Sequence, residues 1–598
     1  MEELKTDVLV VGGGAGGTAA ALQAARRGVQ TILVSEFSWL GGMLTSAGVS
    51  APDGNELLAF QTGIWGAFIK ELQRRQPLDH GWVSFFTYSP KIGAEIFADW
   101  VKTLPNLRWI SHQTPLEIER KSERITAVRF ADFLIRAEVI LDGTELGDVL
   151  ALAEVPHRWG WEWRSQWGEP SAPVRANAMT EKYPVQAPTW VVVLQDFGRG
   201  AVSPEILAPM VDMPEAFVGT EARYGWEQLL SYGQLPEHQF MMNWPQQGND
   251  YGVNLGRLVK SEEARKEFLQ EAYWHSQSFA RFLRNQLGQR YGLADHVFPL
   301  HEGLGGGAFA LHPYYRESRR VRGLTIAREQ DILPIAGGTV AALPLNEHQR
   351  CEAIAIGNYA NDHHYPGYDF PLTPKSIRWG GRWTGTPFTL PYRCLIPAET
   401  DGLLVCEKNI SVSHIANGAT RLQPIVLGIG QAAGMAAALC IEKGCQPREL
   451  PVNLVQAALL ADAIAPAALV PLFNLSSHHP DWQHWQDYYL NHPDKYPLDG
   501  NCPTTFSAKT VVAIDGSLTF TGIFQRGADQ DYTLTVSMDS PQQRLALVTI
   551  HPEVNQQLKE CCDGQLLKVR GRLNRSGNWI LVEHLKDLET QSSDNLRK

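Results

Sequence analysis

Six small residues, Gly12-Gly13-Gly14-Ala15-Gly16-Gly17, stand between an apolar run ending at Val11 and an alanine-rich segment. That order reads as strand, glycine turn and helix. Gly12 permits the tight turn, Gly14 lets backbone approach a pyrophosphate, and Gly17 lets the helix pack closely on the strand. Ala15 and Gly16 open the helix, whose free N–H groups and partial positive charge face the phosphates. A second strand over 30–35 leads to Glu36. That acid lies about 20 residues beyond the glycines, where a ribose hydroxyl needs a carboxylate acceptor. The chemistry of this set is capture of a dinucleotide.

Four further segments extend it. Leu40-Gly41-Gly42-Met43 follows Glu36 closely. Its paired glycines allow a loop to lie flat against a ring system, although a plain turn uses the same residues. Asp142-Gly143-Thr144-Glu145-Leu146-Gly147-Asp148 ends another apolar strand and is a further candidate turn for such a ligand. Asn417-Gly418-Ala419-Thr420-Arg421-Leu422-Gln423-Pro424 precedes an apolar, small-residue helix over 425–441. A proline suits the first turn, and the helix N-terminus favours negative charge, so Gly418, Arg421, Gln423 and Pro424 are candidate ring contacts. Helix packing alone is the plainer reading. The last segment is His312-Pro313-Tyr314-Tyr315-Arg316-Glu317-Ser318-Arg319-Arg320, with Asp362-His363-His364 further on. Arg316, Arg319 and Arg320 are candidate anion clamps or structural ties. His363 or His364 is the candidate general base, with His312 in reserve.

The elements that position these residues follow from periodicity. Residues 1–50 give a β-α-β unit; 107–118 and 124–135 read as short strands, and 137–141 as another. Beyond about 155 the character changes, with a tryptophan-rich stretch, a strand at 190–194 and a helix over 261–291. Nucleotide-domain character returns at 403–406 and the helix after it. A Pro-, His- and Trp-rich connector covers 476–506. Beyond it, 509–514, 518–524, 532–537 and 544–549 alternate as strands, 553–561 is helical, and 566–572 and 579–584 are strands again. That is the order of a small Greek-key barrel of the OB type. The expected fold is α/β: a Rossmann-like domain from 1–155 and 390–475, an inserted α+β cap over 156–389, a linker over 476–506 and a barrel over 507–590.

Composition sets bounds. The 598 residues exceed one core, and 44% hydrophobic with 20% charged residues is ordinary for a globular protein. A net charge of −11 argues against general binding to nucleic acid or anionic membranes. None of the eight cysteines forms a CxxC pair, so neither a zinc ribbon nor a thioredoxin-like dithiol is indicated; the adjacent Cys561 and Cys562 read as two structural thiols, with a vicinal redox pair as the alternative, and no metal site is expected. The acidic N-terminus has no signal-peptide pattern, and the apolar segment 425–441 is short for a membrane span. The expected location is cytoplasmic.

Together the glycine turn, Leu40-Gly41-Gly42-Met43, the 142–148 turn, Asn243-Trp244-Pro245, Gly248-Asn249-Asp250-Tyr251, Tyr315-Arg316-Glu317-Ser318-Arg319-Arg320, Pro391-Tyr392-Arg393, Arg421-Leu422-Gln423-Pro424 and Gly430-Gln431-Ala432-Ala433-Gly434 resemble one family. It is the FAD-dependent oxidoreductases of the glutathione-reductase type, and more narrowly a bacterial family related to fumarate reductase flavoproteins. The resemblance covers about residues 5–445. It implies extended FAD, a cap over the flavin, and hydride transfer between a small-molecule substrate and flavin N5. Two departures stand out. The usual Asp-Ala-Thr-Gly turn reads Asp142-Gly143-Thr144-Glu145, and the usual Ala-Gly after 403–405 reads Cys406-Glu407. The electron acceptor and a homo-oligomeric state are left open. A rival reading makes the chain an RNA-modification flavoprotein or a partner-binding scaffold working through its barrel, but 501–598 carry 11 basic against 11 acidic residues and no basic groove.

Overall fold

The computed structural model describes residues 2–78, 80–301, 303–503, 517–536 and 543–587. Its central sheet begins with β1 (Glu2–Val11), whose last four residues are fully buried. Helix α1 (Ala15–Arg26) returns over the sheet, and β2 (Thr31–Val34) pairs parallel to β1. β3 (Leu107–Ile110), β4 (Glu117–Lys121), β5 (Arg124–Arg129) and β6 (Phe133–Asp142) complete the order β3-β2-β1-β6-β5-β4. The segments expected as short strands are thus four strands, and 137–141 is the end of the longer β6. Near its C-terminal end, β6 also pairs in parallel with Leu403–Val405, at Leu403 opposite Ile140. The chain therefore returns after some 260 residues to the same sheet.

The helix that follows, Gln423–Lys443, crosses α1 at close range. A Cβ on Gly430 would lie 2.0 Å from the Gly16 oxygen, and one on Gly434 would lie 2.2 Å from the Ala20 oxygen. Those glycines let the two backbones touch. The helix is long and apolar enough to span a membrane by length and composition, and nearly all of it is buried within the protein.

Between these parts lie a four-stranded sheet that includes Val192–Asp196 and the long helix Glu262–Leu287, capped by the Ser261 hydroxyl on the Ala264 amide. The connector is not a loose linker. Trp482–Asn491 is a helix with Trp482, Tyr489 and Leu490 buried, and the Tyr496 hydroxyl donates to the Pro471 carbonyl. Its aromatic residues are core.

The C-terminal region is a closed barrel of five strands, Leu518–Arg526, Tyr532–Val536, Gln543–Val548, Trp579–Asp587 and Leu566–Asn574 in spatial order. A helix, Pro552–Glu560, lies between the third and fourth strands in sequence. The strand expected at 509–514 lies outside the described residues.

Candidate functional site

A cavity of about 960 Å³ opens at the C-terminal ends of β1, β2 and β6. Ligands of open α/β sheets bind at this edge. Gly12 has φ +108°, and a Cβ there would lie 2.2 Å from the Gly143 oxygen. Only glycine allows the first turn to meet the 142–148 turn so closely. A Cβ on Gly17 would lie 2.0 Å from the Gly12 oxygen, so this glycine seats α1 on β1. The second loop is tied to the first. The Gly41 amide donates to the Thr18 hydroxyl and the Gly13 carbonyl, both at 3.0 Å. Gly41 and Gly42 both have positive φ.

Around the cavity stand Gly12, Gly14, Gly42, Gly143, Thr144, Glu36 and Asp148 from the expected cofactor set, and His312 from the expected catalytic set. Glu36 is exposed to this space at the end of β2. Burial among neighbouring groups, with the Asp148 charge adding to it, raises its carboxyl to about 7. Asp148 is held ionised by Arg265 at 2.7 Å and Arg319 at 3.1 Å. His312 places Nε2 3.0 Å from the Ser46 hydroxyl, and burial lowers its pKa.

Other expected residues lie elsewhere. The Met43 side chain is core. Ala15, Gly16 and Gly17 belong to the buried start of α1 and line no part of the cavity wall. Asp142 accepts from the Thr144 amide and hydroxyl and from the Leu150 amide, so it fastens its own turn. Sequence reasoning saw a carboxylate at a strand end but not these nearer donors. Gly418, Arg421, Gln423 and Pro424 also lie off the cavity wall, as do Arg316, Arg319, Arg320, His363 and His364.

The three arginines are committed to protein partners. Arg320 is fully buried on Glu162 (2.7 Å), Glu317 (3.2 Å) and the carbonyls of Val412 and Gly160. Arg319 donates to the Leu146 carbonyl and Asp148. Arg316 bonds the Ala187 carbonyl and pairs with Asp250 at 3.1 Å.

From Arg316 a chain of alternating charge runs to Arg421. Asp250 accepts from His364 Nδ1 at 2.8 Å, and His364 Nε2 lies 2.8 Å from Asp362 Oδ2. Arg421 donates to that oxygen at 3.0 Å and to the Tyr314 hydroxyl at 2.6 Å. Asp250 is buried, yet Arg316 and His364 outweigh desolvation and lower it to about 2. Asp362 is held low in the same way by His364 and Arg421, and its side chain is 41% exposed. Beside this chain, Asn361 and Asn417 carry buried amide oxygens without a hydrogen-bond partner, as does Gln423.

His363 belongs to a different network. Its Nε2 faces the Ile415 carbonyl at 3.0 Å, so that nitrogen carries the proton. Its Nδ1 meets the Tyr365 hydroxyl at 2.7 Å, which meets His414 Nε2 at 2.6 Å, and His414 Nδ1 meets Glu317 at 2.8 Å. Burial lowers both histidines to about 3 and raises Glu317 to about 7. With both ring nitrogens engaged, His363 is not a free base. Behind the wall of the first cavity, Lys408, fully buried and unnoticed in the sequence, lies 2.6 Å from Glu145, which lines that wall, and 3.0 Å from Glu407. Cys406-Glu407 was legible only as a departure from the family pattern.

Residues 7–459 match the family described as FAD dependent oxidoreductase. The chain belongs to that family. This oxidoreductase matches no curated protein. Among solved structures, a geranylgeranyl bacteriochlorophyll reductase-like protein from Thermoplasma acidophilum aligns over 82% of this chain and 84% of its own, at 10% identity and TM-score 0.29. Aquifex aeolicus GidA aligns over 23% of this chain and 25% of its own, at 19% identity and TM-score 0.16. L-proline dehydrogenase from P. horikoshii aligns over 27% of this chain and 25% of its own, at 17% identity and TM-score 0.15. The oxidoreductase thus spans about a quarter of the length of the last two.

The oxidoreductase uses FAD, and the first cavity fits it. The glycine backbones of 12–14 and 42 form a cradle that any Cβ would fill, Glu36 stands at the far end, and Glu145 Oε1 is buried there without a hydrogen-bond partner. Its size and elongated set of walls suit a dinucleotide.

Proposed function

We propose that this enzyme oxidises or reduces a small-molecule substrate by hydride exchange with FAD, with the Arg421–Asp362–His364–Asp250–Arg316 chain managing the substrate proton. FAD supplies the hydride-accepting ring. Gly12, Gly14, Gly42 and Gly143 would hold its phosphates and Glu36 its ribose, while Gly418 and Arg421, at the end of the helix His414–Thr420, and Gln423 and Pro424, at the start of Gln423–Lys443, are kept as ring contacts.

The observation that carries the reading is the open end of the charged chain. Asp362 is held well below the ordinary carboxylate range, is partly exposed, and meets His364 and Arg421 on one oxygen. It can hold a substrate hydroxyl or amine by accepting its hydrogen bond without losing its position. His364, bridging two carboxylates, fixes Asp362 in place, and Arg421 orients it from the other side and offsets its charge. His363, one of the two candidate bases, is assigned instead to positioning, through the buried relay to Glu317.

Replacing His364 with Ala should slow anaerobic flavin reduction about 10²-fold while FAD content stays equal. An unchanged rate removes the chain from the mechanism.

We infer the domain division given above, with the barrel of OB type. Its strand order, its parallel pairing of Gln543–Val548 with Trp579–Asp587 and its helix between the third and fourth strands support this.

A further inference from the structure

A second cavity, about 130 Å³, lies away from the glycine loops. One wall is Asp53 and Glu56, on the loop that continues from the Leu40–Val49 segment. A second is Asn358–Ala360, where the chain runs on to Asn361 and Asp362. The third is the hairpin Ser376–Trp379 and Arg382–Gly385, which brings Arg382 and Trp383.

The barrel fixes that hairpin. The Thr549 amide donates to the Gly380 carbonyl at 2.8 Å, and Arg378 pairs with Asp531 at 2.6 Å. A Cβ on Gly381 would lie 2.1 Å from the Leu547 oxygen. Arg382 is clasped between the rings of Phe85 (4.4 Å) and Trp579 (5.2 Å), the latter from the barrel.

The polar groups facing this space have unmet hydrogen-bonding capacity. Arg382 gives one N–H group to the Val83 carbonyl, but its Nη1 is buried with no partner. Glu56 is only 10% exposed, and its nearest cation is Arg382 at 3.9 Å. Among the described residues, no side-chain hydrogen bond reaches the carboxyls of Asp53 or Glu56 or the hydroxyl of Tyr359. Trp383 stands beside them with 57% of its surface exposed.

We propose that this cavity binds a neutral, hydroxyl-rich group of the substrate, a polyol or one sugar ring, resting on the hydride-exchange reading above and naming its substrate class. Charge selects the class. A cation would meet Arg382, and an anion would meet Asp53 and Glu56. A neutral hydroxyl gives its proton to a carboxylate and accepts from a guanidinium, so it satisfies both kinds of group at once. Burial, then the nearby Glu56, pushes the Asp53 carboxyl up to about 8, so near neutral pH it can donate as well as accept. The exposed indole offers a flat apolar face to the C–H groups of such a ligand. Tyr359 and Ala360 are followed by Asn361 and Asp362, and Asp362 is near enough to act on the Asp53 carboxyl, so a hydroxylated carbon held here lies toward the carboxylate proposed to hold the substrate.

The test uses the FAD-loaded, full-length enzyme. Sorbitol, D-xylose and D-glucose are titrated by calorimetry, with putrescine and succinate as charged controls, and anaerobic flavin bleaching is followed in parallel. Saturable binding of at least one neutral compound, weakened about tenfold or more in Trp383→Ala and in Asp53→Asn, supports the site. Trp383 is on the surface, so its variant should keep the wild-type Tm. Binding of only the charged probes, of none, or equal affinity in both variants overturns it. Saturable, variant-sensitive binding without bleaching supports the site and counts against hydride exchange with that compound. Bleaching by a compound without hydroxyls, with no effect of Trp383→Ala, overturns the site and leaves hydride exchange standing.

Discussion

Glu407 Oε2 accepts a hydrogen bond from the Gly16 amide at 2.7 Å, so a carboxylate from beyond the sheet's last strand sits on the N-terminus of its first helix. The same oxygen would lie 2.6 Å from a Cβ on Gly14, in the loop that faces the diphosphate. Lys408 offsets part of this charge by bridging Glu407 and Glu145.

Affinity for FAD should therefore depend on pH. Burial raises Glu407 to about 7. Below that value the group is neutral and does not repel a diphosphate; above it the carboxylate does. The FAD dissociation constant should rise as pH passes through 7, and Glu407→Gln should reduce that rise, leaving the part that belongs to Glu36, whose carboxyl is also raised to about 7. Fluorescence titration of apoprotein at several pH values reads both.

Glu36 follows β2 at the cavity, and we propose that it binds the ribose. Glu36→Ala should weaken FAD binding about tenfold to a hundredfold, the loss of a hydrogen bond to a charged group. Calorimetry on apoprotein measures it, with the Tm of the apo form unchanged.

Arg320 tests whether the arginine cluster is a clamp or a tie. It is fully buried on two carboxylates. Arg320→Ala leaves Glu162 and Glu317 without their cation and should cost about 3–5 kcal/mol of stability. Urea denaturation measures this; a substrate clamp would instead keep stability and lose substrate affinity.

The carboxyl of Asp53, raised to about 8, is protonated in the folded protein across a range where it is ionised when unfolded. The sign follows: its contribution to stability is fully present below the unfolded pKa and is lost as pH rises through 8. Asp53→Asn should gain Tm over wild type progressively from pH 4 to pH 8 and level off above it. The gain stays below the full 1.4 kcal/mol per pH unit, roughly, because Asp53 is partly exposed.

Much of the nucleotide half was legible in the sequence. Gly12, Gly17, Glu36, Gly41 and Gly42 act locally, through turn geometry and strand ends, and strand–turn–helix spacing exposes them. Five of the six strands expected beyond residue 507 follow from clean alternation and form the barrel, the sixth lying outside the described residues. The substrate half was not legible in the same way. His364 is defined by Asp250, more than a hundred residues away, and His363 by Ile415 and Tyr365. Adjacent histidines with different partners cannot be told apart by spacing. Asp53 and Arg382 are ordinary loop and hairpin residues until the barrel brings them to one cavity.

The most direct measurement is the rate of flavin bleaching when substrate is mixed anaerobically with the FAD-loaded enzyme and with Asp362→Asn. Bleaching in the wild type, slowed about 10²-fold or more in the variant at equal FAD content, is the predicted result. Equal rates in the two proteins would contradict the account.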